Sequence, residues 1–213
     1  MDFYFGRFSG NSARAAFGLE EAGAPYQPRL LDVKGGENRA PAYLAINPMG
    51  KIPSLVEGEM RLWESNAINW YVAERFPRAR LLPDTPEGRA SVHRWLFFQA
   101  AHLTPACVPI FRATNERMKA FWQSPLDLQA ADAGRKELAR FLPVLEEALR
   151  SCDWLEREFS LADIAHAPHL ILIAEGGFDF TPHPRVRRWL DRLRQRPAWQ
   201  KVENMIFAAL PSR

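Results

Sequence analysis

The sequence predicts a mixed α/β segment, a small sheet with helices packed on it, followed by an all-helical half. Three observations predict it. Residues 1 to about 76 break into short segments punctuated by Gly and Pro, in the order strand, helix, strand, hairpin, helix. From Glu87 onward the apolar positions recur at intervals of three and four, and nothing reads as a strand. Between the two, residues 77–86 (Pro-Arg-Ala-Arg-Leu-Leu-Pro-Asp-Thr-Pro) hold three prolines, the composition of a stiff linker. The expected division is therefore 1–77, a linker at 78–86, and 87–213.

Asp2–Phe5 reads as the first strand. Asn11 or Ser12 is a candidate cap for a helix running to Ala22, ended by Gly23 and Pro25. Tyr26–Val33 alternates loosely as a second strand, and a short helix is expected around Ala40–Ala45. Pro53–Glu57 and Arg61–Trp63 flank the Glu57-Gly58-Glu59 turn as a hairpin. Ser65 or Asn66 opens a helix to Arg75, stopped by Pro77. In the second half, Glu87–Phe121 has helical period and is bent or broken near Pro105 and Pro109. Asp127–Arg150, Ser160–Glu175, Pro184–Gln195 and Pro197–Ala209 follow as helices.

With 213 residues the chain can bury roughly 70% of its unfolded surface, enough for one large core or two smaller ones. Hydrophobic residues at 47% and charged residues at 25% exclude disorder and collagen-like structure. The longest aliphatic run, Leu170 to Ala174, is far short of a membrane span. Met1-Asp2-Phe3 shows no basic region leading into an apolar one, so no secretory signal is expected. Two cysteines, Cys107 and Cys152, cannot build a disulfide framework, and a cytoplasmic location is expected. A formal charge of +3 is too mild to imply a nucleic-acid partner. Arg185, Arg188, Arg192 and Arg196 line one face of a helix whose other face is Val186, Trp189, Leu190 and Leu193, a solvated amphipathic pattern. His93, His166, His169 and His183 have no ligand spacing, and no metal site is expected.

Three local features carry chemistry. In Arg7-Phe8-Ser9-Gly10-Asn11-Ser12-Ala13-Arg14, hydroxyls and an amide cluster at a helix start, where unpaired N–H groups and the positive dipole end favour an anion such as a thiolate. Plain capping is the alternative reading. In Asn47-Pro48-Met49-Gly50-Lys51-Ile52-Pro53-Ser54-Leu55, Pro53 forces Ile52 to be extended; with a cis Ile52–Pro53 bond the N–H and C=O of Ile52 are exposed, and an extended peptide-like ligand could pair with them as an added strand. An ordinary loop proline is the alternative. In Trp63-Glu64-Ser65-Asn66, a carboxylate and a hydroxyl at a strand-to-helix junction suit the ammonium and carboxylate of an amino-acid end such as γ-glutamyl. Ser65 as a simple N-cap is the alternative.

In this order and at these separations, the features resemble the cytosolic glutathione transferase family. The first third resembles that family's thioredoxin-like domain, Ser9-Gly10-Asn11-Ser12 the Ser-Gly-Asn segment of bacterial serine-type members, and Ser160-Leu161-Ala162-Asp163-Ile164-Ala165 the family's capping box. The resemblance covers essentially the whole chain. It implies a thioredoxin-like domain followed by an all-helical one, glutathione as co-substrate, and a homodimer. Ser9 then falls where the hydroxyl bonds the glutathione sulfur, with Asn11 a second sulfur contact. Asn38, Lys51, Ile52, Pro53, Glu64 and Ser65 fall at glutathione-binding positions, the loop of Asn38 being a loose match. Arg7, Phe8, His102, Ala106 and Phe111 are expected around the electrophile. A catalytic tyrosine is missing, because Tyr4 lies within a strand, and no cysteine precedes Cys107, which disfavours the thiol-transfer classes. The expected activity is attack of the bound thiolate on a small hydrophobic electrophile. The rival readings are glutathione-dependent disulfide reduction or peroxidase activity, and a non-catalytic binding module.

Overall fold

The computed structural model describes residues 1–208, in two compact units: Met1–Ala79 with the chain from Pro197 onward, and Arg80–Arg196. In the first unit, strands β1 (Asp2–Phe5), β2 (Gln27–Leu30), β3 (Ser54–Glu57) and β4 (Met60–Trp63) form one sheet in the order β2-β1-β3-β4. β2 runs parallel to β1, whereas β3 is antiparallel to both β1 and β4. β2 is shorter than the stretch read from sequence and lies at an edge, where Pro28 removes no ladder bond that an inner strand would need. Phe3 and Phe5 stack on one face of β1, and Tyr4 packs from the other against Tyr43.

Helices α1 (Gly10–Glu21), α2 (Pro41–Leu44) and α3 (Ser65–Arg75) complete the thioredoxin-like part. From Gly10 to Leu19 every residue of α1 except Asn11 is buried, which its run of Ala and Gly permits by letting neighbouring elements approach closely. At Gly18 the approach is so tight that a Cβ would collide with the side-chain amide of Asn69 on α3. The cap is Ser9, whose hydroxyl oxygen accepts the Ser12 N–H, and neither Asn11 nor Ser12 has that role. Ser12 is already within the helix, and its oxygen accepts the N–H of Gly6.

The second unit is helical among its described residues: α4 (Pro86–Phe98), α5 (Thr104–Thr114), α6 (Glu116–Trp122), α7 (Leu128–Ala148), α8 (Leu161–Glu175) and α9 (Pro184–Gln195). A π-helical turn over Gln99–Leu103 joins α4 to α5. It sits just before Pro105, whose missing N–H and bulky ring forbid a regular ladder there. Pro109, by contrast, lies inside α5, and the chain breaks instead at Asn115, which caps α6. The last helix, α10 (Pro197–Phe207), expected within the 87–213 half, groups with the first unit: Trp199 packs edge-on against Phe17 of α1. Ala209, the expected end of this helix, lies outside the described residues. No helix of the described residues is long and apolar enough to cross a membrane.

Ser160 and Asp163 form a full capping box at the start of α8. Asp163 is wholly buried and also accepts bonds from the N–H of Leu155 and the indole of Trp189. Burial pushes its carboxyl up to about 6, against the lowering effect of the donors from Leu155, Ser160 and Trp189. Removing the carboxylate strands these three donors, each worth about 1–3 kcal/mol when buried without an acceptor, so Asp163→Ala should lose about 3–5 kcal/mol in denaturant unfolding. Because the folded value lies above the ordinary 3.8, the stability linked to this group is full below about pH 4 and lost as pH rises through about 6. That slope should be missing from unfolding curves of Asp163→Asn.

Candidate functional site

The sheet register brings the three sequence features to one edge of the first unit. Tyr4 of β1 faces Ser54 of β3, and Ser54 faces Trp63 of β4. The loop after β1 (Gly6–Ser9), the entry to β3 (Ile52-Pro53) and the exit from β4 (Glu64-Ser65) therefore lie side by side. Neighbouring strands are about 4.8 Å apart, so the three span roughly 10 Å. At Gly6 a Cβ would collide with the Ile52 side chain, so glycine is what lets the first two loops meet. The N-termini of α1 and α3 open at the same edge, and both present the positive end of a helix dipole.

Each helix start carries a serine with the same hydrogen-bond arithmetic. A hydroxyl has one proton and two lone pairs. Ser9 Oγ accepts the N–H of Ser12 at 3.2 Å, and Ser65 Oγ accepts Arg14 Nη1 at 2.9 Å. Both keep the O–H proton to give to an anion. Ser65 is the first residue of α3 and not its cap, so the simple N-cap reading of this serine fails; the cap position belongs to Glu64. In both places the residue before the serine has positive φ without being glycine: Phe8 at 53° and Glu64 at 69°. Left-handed backbone costs such residues about 1–3 kcal/mol and persists only where the surroundings over-determine it.

Arg14, to which sequence reasoning gave no role, is buried at this edge. Its side chain is 3% exposed, and Nη1 reaches Asn11 Oδ1 at 2.8 Å as well as Ser65 Oγ. The guanidinium thus ties the two helix starts together and puts a full positive charge between them. The signal was available: a single arginine in an otherwise Ala, Phe and Gly stretch of an enclosed helix needs polar partners inside.

The loop before β3 is braced from three sides. Asn38 is buried and gives its amide N–H to the Gly50 carbonyl at 2.6 Å, and the Lys51 carbonyl accepts from Tyr43 Oη and Asn47 Nδ2. Asn38 is therefore a brace of this loop, and the Lys51 side chain is exposed. The Ile52–Pro53 peptide is cis. Of the residues expected around the electrophile, Arg7 donates to the Ala208 carbonyl and Phe8 is buried. His102 is exposed within the π-helical turn and packs on Phe98 and Phe141. Ala106 and Phe111 were expected there as well. Both are buried in the helical core, Ala106 with its carbonyl against Gly134 of α7 and Phe111 against His169 of α8. The face of α5 that opens on a cavity, of about 190 Å³, carries Val108, Pro109 and Arg112.

Residues 1–74 match the family described as Glutathione S-transferase, N-terminal domain, and residues 98–197 its C-terminal domain. The chain is 33% identical over 214 residues to the probable glutathione S-transferase GSTF2 of Oryza sativa subsp. japonica, covering 97% of each. It is 33% identical over 201 residues to glutathione S-transferase GstB of Escherichia coli (strain K12), covering 91% of this chain and 93% of that one. Among solved structures, glutathione transferase F2 from Populus trichocarpa is similar with a TM-score of 0.87 and 26% identity, over 96% of this chain and 97% of that one. A glutathione S-transferase-I bound with lactoylglutathione is similar with a TM-score of 0.84 and 30% identity, over 94% and 97%.

Proposed function

From the premise that this chain belongs to the glutathione S-transferase family and is a glutathione transferase, we propose that it is a serine-type member in which Ser9 activates the glutathione thiolate. The observation that carries the reading is the Ser9 hydroxyl: its oxygen is engaged by the Ser12 N–H and its proton is left to donate, at the positive end of α1. A free thiol titrates near 8.5, so lowering it by about two units takes roughly 2.7 kcal/mol of preference for the anion. A charge-assisted bond from Ser9 contributes about 1.5–3 kcal/mol and the α1 dipole about 0.3–1 kcal/mol. These suffice with no cation at the sulfur.

Along the same edge, the Ile52 backbone at the entry to β3 pairs with the cysteinyl part of glutathione, and Pro53 keeps that entry extended. Ser65, the α3 N-terminus and Arg14 receive the γ-glutamyl carboxylate, and Glu64 its ammonium. Lys51, exposed next to Ile52, answers the glycyl carboxylate; Asn38 holds the loop from beneath. Asn11, engaged through Oδ1 by Arg14, keeps its amide N–H groups for the sulfur side. The thiol proton leaves to solvent, the thiolate forms a bond to carbon of a small hydrophobic electrophile, and the leaving group departs with its electron pair. Arg7 and Phe8 are the residues of the first unit that we place nearest that electrophile. The enzyme acts as a cytoplasmic homodimer, the commonest closed assembly of soluble chains.

Ser9→Ala should raise the pKa of bound glutathione and lower turnover with affinity nearly intact, as read by thiolate absorbance against pH. A rise confined to Asn11→Ala or Ser12→Ala would move the role to that residue. Ser65→Ala removes one carboxylate bond and should weaken glutathione binding by about 1.5–3 kcal/mol in calorimetry; unchanged affinity in the folded variant would count against the assignment. Light scattering at micromolar concentration should give twice the 24.4 kDa chain mass, and a monomer mass would refute the dimer.

A further inference from the structure

We propose that the end of α10 is a clamp that positions the Ser9 hydroxyl, so that thiolate activation depends on residues about two hundred positions downstream. The inference rests on the reading of Ser9 as the sulfur donor. Three consecutive residues of the chain grip the two residues that precede Ser9. The N–H of Phe8 donates to the Ile206 carbonyl at 3.0 Å. Arg7 Nη1 donates to the Ala208 carbonyl at 3.0 Å. Between these two bonds the rings of Phe8 and Phe207 meet edge to face, with centroids 6.3 Å apart and planes at 64°. Phe207 is itself seated on Trp199, which packs on Phe17 of α1. The loop and the helix it starts are thus held by the same short segment.

The chemistry of a helix end explains why this grip forms. The last carbonyls of a helix lack partners within it, and the loop supplies donors to the carbonyl of Ile206 in the last turn of α10 and to that of Ala208 just after it. The backbone of Phe8 explains what the grip does. At φ 53° an aromatic residue lies in left-handed space, where it stays only under restraint from several directions. If Phe8 relaxed, the peptide plane joining it to Ser9 would turn. Ser9 would then leave the extended conformation (φ −120°, ψ 113°) in which its oxygen meets the Ser12 N–H, and the hydroxyl would lose its aim. Phe207 and the carbonyls at Ile206 and Ala208 are positioning groups in this scheme. They act through Phe8 and Arg7 and touch no reacting atom.

The test uses the full chain and the variants Phe207→Leu, Arg7→Gln, Ser9→Ala and the double variant Ser9→Ala/Phe207→Leu. Readouts are thiolate absorbance of bound glutathione against pH, kcat and KM for glutathione, and hydrogen exchange of the Ser12 amide. In Phe207→Leu and Arg7→Gln the bound-thiol pKa should rise by about half a unit and kcat should fall, with KM within about twofold. The Ser12 amide should exchange about tenfold faster. The double variant should titrate like Ser9→Ala alone. Folded Phe207→Leu and Arg7→Gln proteins with unchanged pKa, beside a shifted Ser9→Ala, would overturn the clamp alone. So would additive shifts in the double variant. An unshifted Ser9→Ala would overturn the donor reading and the clamp with it.

Discussion

The enclosure of α1 is the constraint on which the rest of the first unit depends. Its residues from Gly10 to Leu19 are buried with the exception of Asn11, against α3 on one side and α10 on another, so every polar group at its start must find a partner within hydrogen-bond reach. Ser9 takes the Ser12 N–H, Ser12 takes the Gly6 N–H, and Arg14 takes Asn11 and Ser65. Each of these bonds uses a lone pair of an oxygen. What is left over is a set of O–H and N–H protons, all at the positive end of two helix dipoles. Surplus donors at an edge suit anions, and glutathione brings a thiolate and two carboxylates.

The same constraint explains the division of labour among the three serines of the site. Ser12 sits inside the first turn, so its hydroxyl oxygen is directed back at the strand end and holds the loop. Ser9 and Ser65 stand at the helix starts, each preceded by a residue in left-handed backbone. That backbone turns the chain sharply at the end of a strand and lets the next residue begin a helix with its side chain over the edge of the sheet. Arg14 links the two starts, so a change at one is felt at the other.

The sequence was a good guide wherever a property depends on neighbours in the chain. The strand at Asp2–Phe5, the hairpin about Gly58 and the helices at Ser65–Arg75 and Pro184–Gln195 all follow from local pattern and turn chemistry, and the Ser160/Asp163 capping box was implied by the family resemblance. It failed where burial on several sides erases periodicity. α5 is apolar nearly all round: Ala106 and Phe111, expected near a ligand, are buried, while Val108 and Arg112 line a cavity. Ser9 was passed over as the cap for a related reason: Ser9, Asn11 and Ser12 are all good capping residues, and only the path of the loop from β1 decides among them.

By itself, then, the sequence determined the order and type of the elements and the residue chemistry at the strand ends, because these are set by propensity, capping and turn preference over a few positions. Tertiary structure alone decided the convergence of those strand ends, through the Tyr4–Ser54–Trp63 register. It alone gave Arg14 its place between Asn11 at the start of α1 and Ser65 at the start of α3. It also returned α10 to the first unit, where Ile206, Phe207 and Ala208 hold the loop at Arg7 and Phe8. Each of these is a contact between distant residues, fixed by which buried surfaces fit together once the elements exist. No local pattern encodes that fit.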